Sequence, residues 1–284
     1  MFAAAGSEGR LPEAGTYPVR LPALHTPPLL RESRVGLEFA ELLRSPVWKG
    51  EGVASGRRQP VMLVSGFLAN DESLGWMARW LKNTGHRPCR AGISWNVDCS
   101  GRSVERLEKR LECLAEDSGQ KVAIVGQSRG GSFARVLAKR RPDLVSGIVA
   151  LGSPLIGAME VHPLIRAQIY AMGFLGTVGA PGLFRRSCLW GDCCTSFWED
   201  AQADFPAGVG FVSIYSRTDG IVRWRSCLDE AAEQVEVRSS HIGMAVNAEV
   251  YRAIAATLEG LRAADAASRR SVKAPRRRHL RLAA

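Results

Sequence analysis

The sequence lacks several features that would place this 284-residue chain in a special class. It has no internal repeat, which argues against a repeat protein. The opening MFAAAGSEGR has neither a basic n-region nor an apolar h-region, so we expect no secretory signal and a cytoplasmic location. The apolar stretch at residues 164–184 is interrupted by Arg166, four glycines and Pro181. We therefore expect no membrane-spanning helix.

The C-x-x-C spacing that is typical of zinc and thioredoxin-type redox sites is also missing. We therefore expect neither a metal nor a cofactor. Among the seven cysteines, Cys188 with Cys193 and Cys194 could staple a loop, with Cys227 as a further partner, but reduced and partly buried thiols are equally consistent with the pattern. The disulfide state is left open for six cysteines: Cys89, Cys99, Cys188, Cys193, Cys194 and Cys227.

The formal net charge of +10 is unevenly distributed. Seven basic residues from Arg269 onward supply most of it, in the segment RRSVKAPRRRHLRLAA. We interpret residues 265–284 as a disordered basic tail, which could weakly contact an anionic membrane surface. No nucleic-acid fold signature accompanies this tail, so no specific nucleic-acid partner is expected. The oligomeric state is left open.

Short apolar runs rich in β-branched residues, such as VMLVSGF, VAIV and VSGIVAL, are typical of strands buried on both faces of a parallel sheet. Amphipathic helical patterns separate them, for example at residues 104–114 and 246–261. This alternation predicts an α/β fold with a mainly parallel, doubly wound sheet and right-handed crossovers.

The same pattern predicts four regions along the chain. Residues 1–58 are expected to form an N-terminal arm with a short helix, and residues 59–154 and 207–264 the α/β core. Residues 155–206, the cap segment, interrupt the alternation after the strand that ends near Gly152. A structureless connection of about fifty residues would be anomalous in a compact domain, so we expect a cap or lid with its own helices. Residues 265–284 form the tail.

Ser128 stands where a buried strand is expected to turn into a helix, in the motif Gly126-Gln127-Ser128-Arg129-Gly130. A sharp strand-to-helix turn forces the backbone into strained angles and requires small residues on both sides. The following helix also directs its unpaired N–H groups at the turn, where negative charge is stabilised. A serine in this position is exposed and able to attack a carbonyl group, although a simple helix N-cap is the alternative.

A serine nucleophile needs a base, and the base needs a group to orient it. His241, in VRSSHIGM, follows the last predicted strand, whereas the other histidines lie in the arm, a strand start, the cap segment and the tail. Asp219, in YSRTDGIV, follows the penultimate strand. Ser128, Asp219 and His241 therefore all lie at the carboxyl edge of the sheet, in the chain order Ser…Asp…His.

Residues 59–261 resemble the α/β-hydrolase superfamily, in particular its bacterial lipase-like and esterase-like members. The resemblance rests on five stretches: LVSGFLAN, VGQSRGG, ALGSP, YSRTDGIV and SSHIGM. It implies that Ser128 is the nucleophile, that His241 is general base and then acid, and that Asp219 holds the imidazole. It also implies an oxyanion hole formed by the backbone N–H groups of Phe67 and Arg129. Ser65-Gly66 departs from the His-Gly that such proteins often carry at this point.

The resulting hypothesis is a serine hydrolase that cleaves carboxylic esters with an apolar acyl part through an acyl-enzyme. Two alternatives stay open: an acyltransferase with the same triad, and a non-catalytic binding protein on the same scaffold. The expected partner is a small ester or lipid-like substrate whose identity and acyl length the sequence leaves open. Eight apolar side chains of the cap segment could line an acyl pocket or simply pack the cap segment onto the sheet: Ile156, Leu164, Ile165, Ile169, Met172, Phe174, Leu175 and Phe184.

Overall fold

A computed structural model describes residues 28–157 and 159–273. The predicted arm up to residue 27 and the predicted tail beyond residue 273 lie outside the described residues. Within the described part, six strands form one sheet. They are Pro60–Val64 (β1), Arg87–Arg90 (β2), Val122–Gln127 (β3), Val145–Leu151 (β4), Gly210–Tyr215 (β5) and Glu233–Glu236 (β6).

The sheet has the order β2-β1-β3-β4-β5-β6, and every neighbouring pair is parallel. β1 and β3 are buried along their whole length, which explains their continuous apolar runs. Parallel neighbours require crossover connections, and helices supply most of them. The predicted doubly wound α/β fold is therefore confirmed.

Eight α-helices lie in the described part of the chain. They are Val35–Arg44 (α1), Gly75–Asn83 (α2), Ser100–Ser118 (α3), Arg129–Arg140 (α4), Pro163–Thr177 (α5), Ser187–Trp190 (α6), Thr195–Gln202 (α7) and Ala248–Lys273 (α8). On one face of the sheet α3, α4 and α7 bury Leu107, Phe133 and Phe197. On the other face α1, α2 and α8 bury Leu42, Trp80 and Tyr251. None of the helices described is both long and apolar enough to cross a membrane.

Both ends of the described chain differ from the predicted regions. α1 packs into the sheet's core with Leu42 fully buried, so this part of the predicted arm belongs to the α/β core. α8 continues to Lys273, and the prediction of disorder from residue 265 is therefore wrong for residues 265–273. The sequence LRAADAASRRSVK is rich in alanine and arginine, which favour helix.

The connection between β4 and β5 contains α5, α6 and α7. It contacts the core at several points. The backbone N–H of Phe184 donates to the carbonyl of Val97, and Val161 forms an antiparallel bridge with Val222. Phe197 of α7 stacks edge-on against Phe133 of α4.

All strands of a parallel sheet end at the same edge, and this edge gathers the predicted site residues. Phe67 follows β1, Ser128 follows β3, Asp219 follows β5 and His241 follows β6. These four residues are distant in sequence, and the parallel topology brings their loops to one side of the sheet.

Gly130 lies where the backbone of α4 passes close to β1, so we predict that Gly130→Ala destabilises the fold. A Cβ there would collide with the carbonyl of Val64 and lie 2.8 Å from the carbonyl oxygen of Ser65. Overpacking of this kind costs about 1–3 kcal/mol. In α8, Gly260 has open space around the same position, and Gly260→Ala should instead stabilise by up to about 1 kcal/mol.

Urea unfolding of the two variants measures this difference directly. Equal midpoints for Gly130→Ala and the wild type would contradict the close approach of α4 to β1.

Candidate active site

Ser128 occupies a strained turn between β3 and α4, with φ 51° and ψ −123°. Positive φ is unusual for a residue with a side chain and is maintained only when the surrounding structure fixes it. Here the N–H of Ser128 donates to the carbonyl of Leu151 at 2.8 Å, and its own carbonyl accepts from Gly131 at 2.9 Å. A Cβ at Gly126 would collide with the carbonyl of Gly130. Both glycines of the motif are therefore required by backbone contact.

Asp219 and His241 form a buried hydrogen-bonded pair. The distance from His241 Nδ1 to Asp219 Oδ2 is 2.7 Å, and the two side chains are 7% and 1% exposed. Asp219 Oδ1 accepts from the backbone N–H groups of Ile221 and Val222 at 2.8 and 2.7 Å. These bonds fix the carboxylate, so that Nδ1 of the imidazole carries the proton and Nε2 is left as the acceptor.

The electrostatic surroundings stabilise the protonated form of His241. Burial alone lowers the pKa of an imidazole, but the negative charge and hydrogen bond of Asp219 and the charge of Glu32 outweigh burial. The pKa of His241 is therefore raised above its ordinary value of 6.5. The imidazole is a stronger base than free histidine, and it loses its acceptor capacity at a higher pH.

Glu32 lies just before α1, and its side chain contacts the two loops that follow β5 and β6. Its carboxylate accepts from the backbone N–H groups of Gly220, His241 and Ile242 at 2.9, 3.0 and 2.8 Å. It thereby ties the loop after β5 to the loop after β6. No pattern in the sequence indicates this role, because Glu32 lies outside the resemblance and some 200 residues from the loops it joins.

Glu38 of α1, six residues further along the chain, contacts the same region. It is 2% exposed and accepts from the backbone N–H of Ser240 at 2.8 Å and from Ser239 Oγ at 2.7 Å. Buried carboxylates are rare unless their oxygens are satisfied, and here backbone and hydroxyl donors do so. The two glutamates make the N-terminal segment a structural part of the site.

Ser128 and His241 share the wall of a cavity of about 450 Å³. Phe67 and Arg129 also line it, so the cavity brings the predicted nucleophile, base and oxyanion residues together. The described hydrogen bonds include the one between Asp219 and His241 but none between His241 and Ser128 Oγ. Such contacts often tighten only when substrate is bound.

Most of the cavity's remaining lining is apolar. Of the eight apolar residues singled out in the cap segment, Ile165, Ile169 and Phe184 line it. The others lie elsewhere. Met172 packs against the core cluster, and four side chains are largely exposed to solvent: Ile156, Leu164, Phe174 and Leu175. Within α5, helical periodicity explains why some of these residues line the cavity and others face solvent, because only one face of the helix can point into the cavity.

The loop after β1 approaches the turn at Ser128 closely. A Cβ at Gly66 would lie 3.1 Å from the Cβ of Ser128, so the backbone at Gly66 and Phe67 passes beside the serine. The carbonyl of Ser65 accepts from Asn96 Nδ2 at 2.7 Å, which fixes this loop. Arg129 is the first residue of α4, and the N–H groups in the first turn of a helix have no partner within it.

The side chain of Arg129 was not part of the prediction, which concerned only its backbone. Its guanidinium donates to the carbonyl of Asn96, Asn96 Oδ1, the carbonyl of Asp98 and Ser100 Oγ at 2.7–3.0 Å. All four acceptors are neutral. The guanidinium also lies 4.9 Å from the ring centre of Phe133 and 5.8 Å from that of Phe184. Burial lowers the pKa of Arg129 to about 10.

No family model matches the chain. A triacylglycerol lipase of Vibrio cholerae is 27% identical over 140 residues, which are 45% of this chain and 45% of that protein. The chain thus matches less than half of the length of this curated relative.

Solved structures match more of the chain. A Bacillus licheniformis lipase has a TM-score of 0.52 at 13% identity, covering 71% of this chain and 91% of that one. A soluble variant of the Saccharomyces cerevisiae monoglyceride lipase has a TM-score of 0.53 at 14% identity, covering 76% and 89%. With the parallel sheet, these likenesses show that the chain has the α/β-hydrolase fold, as the resemblance in its sequence implied.

We predict that Glu32→Gln lowers the pKa of His241. The substitution removes a negative charge that favours the imidazolium, so protonation becomes less favourable and the pKa moves toward lower pH. Glu41→Gln removes the same charge from the exposed face of α1 and is the matched control. NMR titration of the His241 ring signals measures both. An unchanged pKa in Glu32→Gln would contradict the role given to this carboxylate.

Proposed function

We propose that the chain is a serine ester hydrolase with Ser128 as nucleophile, His241 as general base and Asp219 as the group that orients the base. The observation that carries the proposal is the buried 2.7 Å hydrogen bond between Asp219 and His241, where His241 lines a cavity together with a serine in a strained turn. A structural serine or histidine has no need of this combination.

In the proposed reaction, His241 Nε2 accepts the hydroxyl proton as Ser128 Oγ attacks the ester carbonyl. Asp219 stabilises the imidazolium that forms. The backbone N–H groups of Phe67 and Arg129 are the proposed donors to the oxyanion, and the N-terminus of α4 adds partial positive charge. The imidazolium then protonates the departing alcohol. Water then attacks the acyl-enzyme while His241 accepts a proton from it. The proton passes to Ser128 Oγ as the acid is released.

The proposed substrate is an ester with an apolar acyl group. Ile165, Ile169 and Phe184 supply a hydrophobic wall, and a cavity of about 450 Å³ lies within the range of small-molecule sites. The naming of the Vibrio cholerae relative as a triacylglycerol lipase supports the same class. We propose that the cap segment, residues 155–206, forms this acyl-binding wall.

Ser128→Ala should lower kcat for short p-nitrophenyl esters by about 10⁴-fold or more, because the nucleophile is lost while the fold is kept. The same variant should lose labelling by a fluorophosphonate probe, which requires an activated serine. Ser132→Ala is the control, since Ser132 lines the same cavity but bonds to the carbonyl of Pro154. Full turnover in Ser128→Ala, or equal labelling of both variants, would refute the proposal.

Ile169→Trp should shift the preference toward shorter acyl chains, because the larger ring fills part of the cavity. Long-chain kcat/KM is expected to fall by about tenfold or more relative to acetyl esters, in line with a loss of 1–3 kcal/mol. Phe174→Trp makes a similar change on the exposed face of the same helix and should leave the profile unaltered. If the two variants had the same acyl-chain preference, the acyl group would not bind beside Ile169.

A further inference from the structure

Four cysteines that are widely separated in sequence meet beside the candidate active site. Cys99 precedes α3, while Cys188, Cys193 and Cys194 belong to the cap segment around α6. The Sγ atoms of all four lie within 4.8 Å of one another. The separations are 3.4 Å from Cys99 to Cys194, 3.6 Å from Cys99 to Cys193 and 3.5 Å from Cys188 to Cys193.

We propose that Cys99, Cys188, Cys193 and Cys194 bind one Zn²⁺ ion that links the cap segment to the α/β core. Zinc prefers four thiolates in a tetrahedron with Zn–S distances of about 2.3 Å, which corresponds to S···S separations of about 3.8 Å. The observed separations need only a small outward movement of the sulfurs to reach that geometry. Four-cysteine sites with no position left for water are structural rather than catalytic.

The burial of the ligands fits such a closed site. Cys99, Cys188 and Cys194 are between 1% and 4% exposed, and Cys193 is exposed to solvent. Three ligands are therefore shielded from competing water and oxidants, while the fourth leaves a path by which an ion can enter.

The position of Cys99 favours a charged ligand. Cys99 immediately precedes α3, a helix of 19 residues, and the positive end of a helix stabilises negative charge. Metal binding also requires a deprotonated thiol, so a bound ion and the helix would act in the same direction on this sulfur.

Positive charge lies beside the cluster. The guanidinium of Arg129 donates to the carbonyl of Asp98 and to Ser100 Oγ, the two residues on either side of Cys99. Four thiolates and one Zn²⁺ carry a net charge of about −2. A zinc cluster would therefore add negative charge near a guanidinium whose own hydrogen-bond acceptors are neutral, beside the charge that the Asp98 carboxylate already provides.

Because the C-x-x-C spacing is missing, no metal is expected from the sequence. That inference concerned spacing within one segment, whereas this cluster is completed by a core cysteine 89 residues before Cys188. Because Cys188 also lines the cavity, the ion would fix part of the proposed acyl-binding wall.

The test is the metal content of the full chain, purified under reducing conditions without chelator and dialysed extensively. Elemental analysis should find one zinc per chain. Cys99→Ser and Cys194→Ser should lower zinc occupancy by about tenfold or more after the same dialysis. Cys113→Ser, at an exposed position on α3, should keep full occupancy and is the matched control. Zinc content in Cys99→Ser equal to that of wild type would overturn the proposal.

Two further measurements use only the wild-type chain, in case the variants fail to fold. After removal of zinc under reducing conditions, Co²⁺ should give the intense visible bands of tetrahedral thiolate coordination. Alkylation of denatured protein that has not been reduced should modify all seven cysteines. Modification of Cys89, Cys113 and Cys227 alone would show that the four cluster cysteines form two disulfides, which would overturn the proposal. An octahedral cobalt spectrum would overturn it as well. Neither readout depends on ester hydrolysis.

Discussion

The hydrogen bond between His241 Nδ1 and Asp219 Oδ2 is the interaction on which the candidate site depends. It joins two loops that follow different strands, and it would be weak if either partner were solvated. Burial strengthens this bond, but it also requires hydrogen-bond donors for the second carboxylate oxygen, Asp219 Oδ1. The backbone N–H groups of Ile221 and Val222 are these donors. The raised pKa of His241 is a direct consequence of this arrangement.

The N-terminal segment makes that arrangement rigid. Glu32 accepts from the N–H groups of both loops, so the distance between Asp219 and His241 does not depend on the loops alone. Glu38 then fixes Ser239 and Ser240 immediately before the histidine. Two carboxylates from one short stretch thus preorganise a pair that lies some 200 residues further along the chain.

The sequence was informative where local chemistry determines local structure. The two glycines of the motif at Ser128 are required by backbone contacts that any strand-to-helix turn of this kind makes, so the turn could be predicted. Asp219 and His241 could be placed at the same edge because parallel strands end together. The side chains of Glu32 and Arg129 could not be assigned, because their partners depend on tertiary packing that has no period or spacing in the sequence. The last turns of α8 are a different case, because the density of basic charge predicts a disordered tail while alanine and arginine favour helix, and helix propensity prevails.

Arg129 connects these observations. Its backbone N–H lies at the start of α4 beside the serine, and its side chain holds Asn96, which in turn holds the carbonyl of Ser65 in the loop of the second proposed oxyanion donor. Negative charge nearby stabilises this half-buried guanidinium, because its neutral acceptors offset only part of the water that it has lost. The carboxylate of Asp98 is engaged by Arg102 and Arg106. The carboxylate of Asp98 already acts on this guanidinium, and zinc bound by the cysteine cluster would add further negative charge beside it. Under the zinc proposal, metal binding, the docking of the cap segment and the geometry of the oxyanion loop are therefore expected to be physically coupled.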